Sequence, residues 1–219
     1  MKHKTKQKAV DHIIVILIAL LAVSISSNQL KINALSDEIL DEGSVVTGIE
    51  LAEASVIPTG IPNIYGEELG IAYDDVSPTD QQKADQLIKR LAYFDQDIQL
   101  NEDELARYVP TLLQISCEYC CGAKSIIFEN GKAACGCAHS FAMRGLAKYL
   151  LRNHPDEFSN EDILEELGKW KTLFFPSQLQ TKAAILKDNG VELTYINLAS
   201  NKYRGIEKGT AGSGMVGGC

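Results

Sequence analysis

Five of the six cysteines lie within 21 residues and fall into two groups. The first is a C-x-x-C pair with a third cysteine directly after it, and the second is a C-x-C pair followed by a histidine. Thiolate sulfur and imidazole nitrogen are the ligands of tetrahedral Zn²⁺, and soft sulfur also suits Cu⁺. The pattern therefore predicts a metal site, with zinc expected, copper as the alternative and an iron–sulfur cluster least favoured. The candidate ligands are Cys117, Cys120, Cys121, Cys135, Cys137 and His139.

Two local elements must position these ligands. Short apolar runs at residues 125–128 and 132–134 flank Glu129-Asn130-Gly131, and Asn-Gly between two such runs is a strong hairpin signal. After Cys137, apolar residues at helical spacing predict a helix that ends near Asn153. The positive end of a helix dipole lowers the pKa of a thiol beside it and favours the thiolate that a metal needs.

The order of C-x-x-C pair, hairpin, C-x-C pair and helix over residues 116–151 resembles the treble-clef zinc sites. The resemblance implies that the first cysteine group supplies two ligands and the start of the helix supplies two more. A C-x-C pair replaces the C-x-x-C that treble clefs more often have, so which two of Cys135, Cys137 and His139 would ligate stays open.

A shorter match covers six residues, Cys135-Gly-Cys137-Ala-His139-Ser140, which are similar to the end of the motif of the exported PCYCGC proteins. That resemblance implies a role in handling metal. The leading Pro-Cys-Tyr of the motif is Lys-Ala-Ala in this chain, at residues 132–134.

Other interpretations of the cysteines remain open. An even number of cysteines outside the cytoplasm is typical of a disulfide framework, here with Cys117 or Cys120 paired to Cys135 or Cys137. A redox-active dithiol needs an exposed C-x-x-C of low pKa on a thioredoxin-like scaffold, and no such pattern surrounds Cys117. Met143 lies one helical turn after His139, where it could be a thioether ligand for Cu⁺ or a core residue.

The sixth cysteine, Cys219, ends a glycine-rich tail at residues 205–219, in which six of the 15 residues are glycine. As a flexible coil this tail has a root-mean-square reach of about 20 Å. Cys219 could therefore be a mobile thiolate that reaches the cysteine cluster, an attachment point, or a terminus without a function.

The expected fold class is mainly α with one short β-hairpin (α+β). Capping and apolar spacing predict helices that begin near Asp80, Asn101, Ser159 and Pro176, whereas residues 191–197 alternate and predict a strand or extended segment. The expected organisation is a signal anchor at 1–35, an acidic and Pro/Gly-containing stalk at 36–64, one helical domain at 65–204 built around the metal site, and the tail at 205–219.

Four lysines precede a 13-residue apolar segment at residues 13–25. This arrangement favours a signal anchor that contacts the membrane through residues 10–29, with a cytoplasmic amino terminus and the helical domain outside. A secretory signal that is cleaved after the apolar segment is the alternative.

The formal net charge is −8, and residues 28–219 alone carry −11. Such an acidic body excludes nucleic acid as an expected partner, and no P-loop, GxSxG, HExxH or dinucleotide-binding motif indicates an enzyme. The sequence thus predicts a membrane-tethered, extracytoplasmic metal-binding protein with a structural zinc site or a zinc- or copper-handling site. The alternatives are a thiol–disulfide redox protein that uses the cluster and Cys219, and a disulfide-stapled scaffold or partner-binding module.

Overall fold

A computed structural model describes residues 56–208 and 215–216. Within them the chain forms α-helices and two 3₁₀ turns, Tyr73–Asp75 and Asn201–Tyr203. The α-helices in chain order are α1 (Tyr65–Leu69), α2 (Gln81–Asp97), α3 (Glu102–Leu112), α4 (Ala138–Asn153), α5 (Asn160–Phe174), α6 (Pro176–Asp188) and α7 (Tyr195–Ala199).

The long helices begin at the residues that the sequence predicts, because their caps are local in sequence. Asn101 and Ser159 each accept a hydrogen bond from the amide three residues later, and the acidic side chain there bonds back to the capping residue's amide. This reciprocal arrangement satisfies two amide groups that have no partner inside the helix. Asp80 caps α2 by accepting a hydrogen bond from the Lys83 amide, without a bond in return. Pro176 occupies the first turn of α6.

Helices α2 and α4 pack so closely that their backbones nearly touch. A Cβ atom on Gly145 of α4 would lie 1.9 Å from the carbonyl oxygen of Leu91 in α2. Glycine is therefore required at this crossing, since any side chain would force the helices apart. The buried core continues from this contact to α5, whose Trp170 and Phe174 are fully buried.

A buried carboxylate ties the segment before α2 to α5. Glu166 of α5 accepts hydrogen bonds from the hydroxyl groups of Tyr65 and Tyr73, at 2.7 and 2.6 Å. Trp170 Nε1 donates to the Tyr65 hydroxyl oxygen at 2.8 Å. These bonds connect residues about 100 positions apart and place the aromatic rings of the amino-terminal segment in the core.

The predicted β-hairpin is wrong: residues 56–208 and 215–216 contain no strand. The chain does reverse after Phe128, but it forms a single isolated bridge, between Ile127 and Ala133. Across the arms the Phe128 amide donates to the Lys132 carbonyl and the Ala134 amide to the Ile126 carbonyl, but the Ile126 amide, which would continue the pairing, donates to the Ile115 carbonyl instead. The ladder does not extend beyond the bridge, and the fold class of the described residues is helical rather than α+β.

The predicted extended segment at 191–197 is also wrong in its second half, where Tyr195 begins α7. Thr194 caps this helix by accepting a hydrogen bond from the Asn197 amide. Apolar alternation over a few residues does not separate a strand from a short helix, and the cap decides the outcome here.

The prediction of a single-pass membrane protein also needs correction. Among the residues that the structure describes, no helix combines the length and apolarity needed to cross a membrane. The signal anchor predicted at 1–35 lies outside the described residues. The finding for the described residues is therefore against the predicted single-pass membrane location with the helical domain outside.

Candidate metal centre

Three thiols converge although they come from separate parts of the chain. The sulfur atoms of Cys117, Cys120 and Cys137 all lie within 4.8 Å of one another. The closest two, Cys117 Sγ and Cys137 Sγ, are 3.4 Å apart. Sulfur ligands of a tetrahedral zinc ion, each about 2.3 Å from the metal, lie about 3.8 Å from one another. The spacing of the three thiols therefore suits a shared metal ion.

Cys137 reaches the cluster because it is the N-cap of α4. Its sulfur accepts a hydrogen bond from the Ser140 amide at 3.4 Å and lies 3.3 Å from the Ser140 hydroxyl oxygen. The thiol therefore occupies the amino-terminal end of a 16-residue helix, where the helix dipole favours an anionic sulfur.

Cys117 is positioned by the buried residue that follows it. Glu118 adopts φ of 66°, in the left-handed region that residues with side chains rarely occupy. Its carboxylate is held by Lys171 Nζ at 3.0 Å, by Lys182 Nζ at 3.4 Å and by the Gly205 amide at 2.6 Å. Because a buried carboxylate without cationic partners would be costly, these contacts hold the turn in place and direct Cys117 into the core.

The other two clustered cysteines form a disulfide, Cys121–Cys135. This pairing differs from those expected on sequence grounds, which joined Cys117 or Cys120 to the second group. Cys135 is buried, and its sulfur lies 3.5 Å from Cys137 Sγ. The disulfide is therefore in direct contact with the three-thiol cluster.

Arg144 of α4 binds the backbone carbonyl oxygen of Cys135. Its Nη1 donates to the Cys135 carbonyl oxygen at 2.9 Å and to the Ile126 carbonyl oxygen at 3.3 Å. The same guanidinium forms an ion pair with Asp95 of α2, with Nε 2.8 Å from Oδ2. The position of Cys135 is thus determined by the packed pair of helices, in addition to its covalent bond to Cys121.

His139 lies beside the cluster, fully buried against the rings of Phe174 and Phe175. Its Nε2 lies 2.8 Å from the Val216 carbonyl oxygen. A carbonyl oxygen only accepts, so Nε2 carries a proton and Nδ1 of a neutral ring has a free lone pair. Among the described residues, Nδ1 has no hydrogen-bond partner. The ring nitrogens of His139 do not lie within 4.8 Å of all three cysteine sulfur atoms.

The two closest thiols differ in acidity. The hydrogen bond from Cys117, together with those from Ser140, lowers the pKa of Cys137 far below its usual value against the opposing effect of burial. The same hydrogen bond, together with burial, raises the pKa of Cys117 well above its usual value. Cys117 therefore keeps the proton of the pair and Cys137 is the thiolate at neutral pH.

Of the six candidate ligands, the structure brings Cys117, Cys120 and Cys137 together, places Cys121 and Cys135 in the disulfide, and puts His139 beside Cys137. Met143 is buried in the hydrophobic core. Cys219 lies outside the described residues. Sequence reasoning missed Glu118, Lys171 and Arg144, which support the site. An arginine within the apolar face of α4 was the one available signal, since Arg144 lies between the core residues Met143 and Leu146.

Comparisons with known proteins found no matching protein family, curated protein or solved structure. The class of the site therefore comes from its own geometry: a cysteine cluster that could hold a metal ion, in contact with a disulfide.

Proposed function

We propose that this protein binds one zinc ion through the thiolates of Cys117, Cys120 and Cys137. The observation that carries the proposal is the convergence of these three sulfur atoms within 4.8 Å. Zn²⁺ is preferred because a compact thiolate set with a nearby imidazole is its usual environment in structural sites. Cu⁺ is the alternative metal, since it also selects thiolates.

The surroundings of the cluster support a structural role for the metal. Cys117 and Cys137 are almost fully buried, and they join the irregular segment between α3 and α4 to the first turn of α4. In small sites of this type the free energy of metal binding is free energy of folding. A bound ion would therefore hold the segment at residues 113–137 against the helices, and the thiols that bind it would release their protons to solvent.

The test is the metal content of protein purified without added metal, measured by elemental analysis. The wild type is expected to contain about one equivalent of zinc, and Cys120→Ser and Cys137→Ser are expected to lose it. Both variants are suited to the test, because Cys120 is exposed and serine is itself a favourable N-cap at position 137. Met143→Leu is the matched control, since it removes a buried sulfur at nearly constant volume and should retain the zinc.

A metal-free wild type with all cluster cysteines in disulfides would contradict the proposal and favour a stapled scaffold. Copper instead of zinc in the purified wild type, lost in Cys120→Ser and Cys137→Ser, would replace zinc by copper.

A second candidate function is thiol–disulfide exchange, which the contact of 3.5 Å between Cys137 Sγ and Cys135 Sγ of the disulfide favours. In such a reaction two protein thiols become a disulfide while a substrate disulfide is reduced to two thiols. The assay is the reduction of insulin by dithiothreitol, with and without the metal-stripped protein. Acceleration that is lost in Cys137→Ser would support this candidate, and unchanged reduction would contradict it.

A further inference from the structure

Three thiolates leave one position of a tetrahedral zinc site to be filled, since structural zinc sites have four protein ligands. Two donors lie close enough to Cys137 to be considered. One is the His139 imidazole, and the other is the Cys135 sulfur, which is 3.5 Å from Cys137 Sγ but is bonded to Cys121.

Cys135 is the donor whose position does not depend on the disulfide. Arg144 holds its carbonyl oxygen at 2.9 Å, and the guanidinium is in turn held by Asp95 of the neighbouring helix. When the bond to Cys121 is broken, these contacts remain, so the Cys135 sulfur stays buried next to Cys137. Cys121 is the weaker candidate of the two disulfide partners, because its neighbour Cys120 already contributes a sulfur atom to the three-thiol cluster.

His139 is less well placed to be the fourth ligand. Its bond from Nε2 to the Val216 carbonyl oxygen leaves Nδ1 as the donor atom, but the ring is packed against Phe174 and Phe175, with centroids at 4.7 and 5.0 Å. It is not part of the set within 4.8 Å.

We infer that Cys135 is the fourth zinc ligand and that the Cys121–Cys135 disulfide withholds it, so that reduction of this disulfide completes the metal site. This inference rests on the proposed function and adds redox control to it. A dithiol reductant gives two electrons and two protons to the disulfide and becomes a disulfide itself. Cys121 and Cys135 are left as thiols, and Cys135 releases its proton when it binds zinc.

The experiment compares zinc affinity in oxidised and reduced full-length protein that has been stripped of metal. Reduction uses dithiothreitol, which is removed under argon before titration with zinc in competition with a chromophoric chelator. We expect reduction to tighten zinc binding by at least the roughly 10- to 100-fold that loss of an outer-sphere partner costs in metal sites. The charge-transfer band of the cobalt-substituted protein should gain intensity as a fourth thiolate binds.

Two serine variants distinguish the contributions of Cys121 and Cys135 to zinc binding. Cys121→Ser leaves Cys135 as a thiol, so it should bind zinc tightly before any reductant is added. Cys135→Ser removes the proposed ligand, so its binding should be weak with or without reductant. If Cys135→Ser does not fold, the Cys121→Ser result still decides, because tight binding independent of reductant is required of it.

The opposite ranking, with Cys135→Ser tight and Cys121→Ser weak, would assign the fourth position to Cys121 and overturn the inference. Equal affinities in the oxidised and reduced wild type would also overturn it, and if His139→Ala then lost zinc, the imidazole would be the ligand. Both results leave the three-thiolate site intact. Absence of zinc binding in every form, by contrast, would refute the proposed function itself.

Discussion

Arg144 Nη1 donates a hydrogen bond of 2.9 Å to the carbonyl oxygen of Cys135. Through this bond the packing of two long helices reaches the cysteine cluster, because Arg144 lies on α4 and its ion-pair partner Asp95 lies on α2. The arginine is almost fully buried. A charged residue in the core thus connects the stability of the fold to the position of a site cysteine.

Arg144→Met is expected to lower the free energy of unfolding by about 3 kcal/mol, because breaking a buried ion pair leaves a charge without its partner. It should also weaken zinc binding, since the Cys135 carbonyl loses its donor. Urea unfolding and zinc titration measure the two effects. The control is Lys83→Met, which removes an exposed pair with Asp75 and should leave the urea midpoint and zinc affinity unchanged. Equal effects of the two variants would contradict the role given to Arg144.

Gly145→Ala tests the close crossing of α2 and α4. A Cβ atom at this position would meet the Leu91 carbonyl oxygen at 1.9 Å, so the helices must separate. We expect a loss of about 3 kcal/mol or more in the free energy of unfolding, at the upper end of overpacking costs. Gly136→Ala is the matched control, because a Cβ atom there has open space. A Gly145→Ala variant that unfolds at the same temperature as the wild type would show that the two helices can accommodate a Cβ atom at their crossing.

Tyr73→Phe removes one of two hydroxyl groups that donate to the buried Glu166 carboxylate. Hydrogen bonds to charged groups contribute about 1.5–3 kcal/mol, so we expect a loss of about 2 kcal/mol. Urea unfolding monitored by fluorescence of the neighbouring Trp170 reports it. Tyr93→Phe removes an exposed hydroxyl bonded to Asp97 and should have no measurable effect. A silent Tyr73→Phe would mean that Glu166 is satisfied without it.

Acidification should weaken the start of α3. The hydrogen bonds from Arg152 lower the pKa of Glu104 below its ordinary value of 4.5. A folded-state pKa that is depressed contributes stability that is present above the ordinary value and is lost as the pH falls through the folded-state value. The free energy of unfolding of the wild type should therefore fall as the pH is lowered below 4.5.

Glu104→Gln should show a shallower fall over that range, because it lacks the titrating group, and should cost about 1 kcal/mol or less at pH 7, because it loses the ion pair with Arg152. Urea unfolding at a series of pH values makes the comparison. Parallel pH profiles for the wild type and the variant would exclude Glu104 as a contributor.

Removal of zinc should loosen the segment between α3 and α4 more than the helices. This segment runs from Leu113 to Cys137 and contains no helix, so much of its order depends on the cluster. Hydrogen exchange measured by mass spectrometry, with and without a chelator, should show faster exchange there, while α2 and α4 stay protected by their mutual packing. A uniform increase over the whole chain would instead indicate that the metal stabilises the entire fold.

Much of the helical structure was predictable because its signals are local. Asn101 with Glu104, and Ser159 with Asp162, form caps within four residues, so no distant contact is needed to identify the helix starts. The hairpin at Asn130-Gly131 was not predictable in the same way. Its turn is local, but a longer ladder needs a free Ile126 amide, and the Ile115 carbonyl binds that amide from elsewhere in the chain.

The sequence by itself determined the residue types of the site and their grouping, because clustered cysteines with a histidine indicate soft-metal or redox chemistry whatever the fold. Only the tertiary structure decided how the cysteines divide between three thiols and a disulfide, and that Glu118, Lys171 and Arg144 support them. The reason is physical. Glu118 meets Lys171 across 53 positions and Arg144 meets Asp95 across 49, and such buried ion pairs form only once the packed helices exclude water from them.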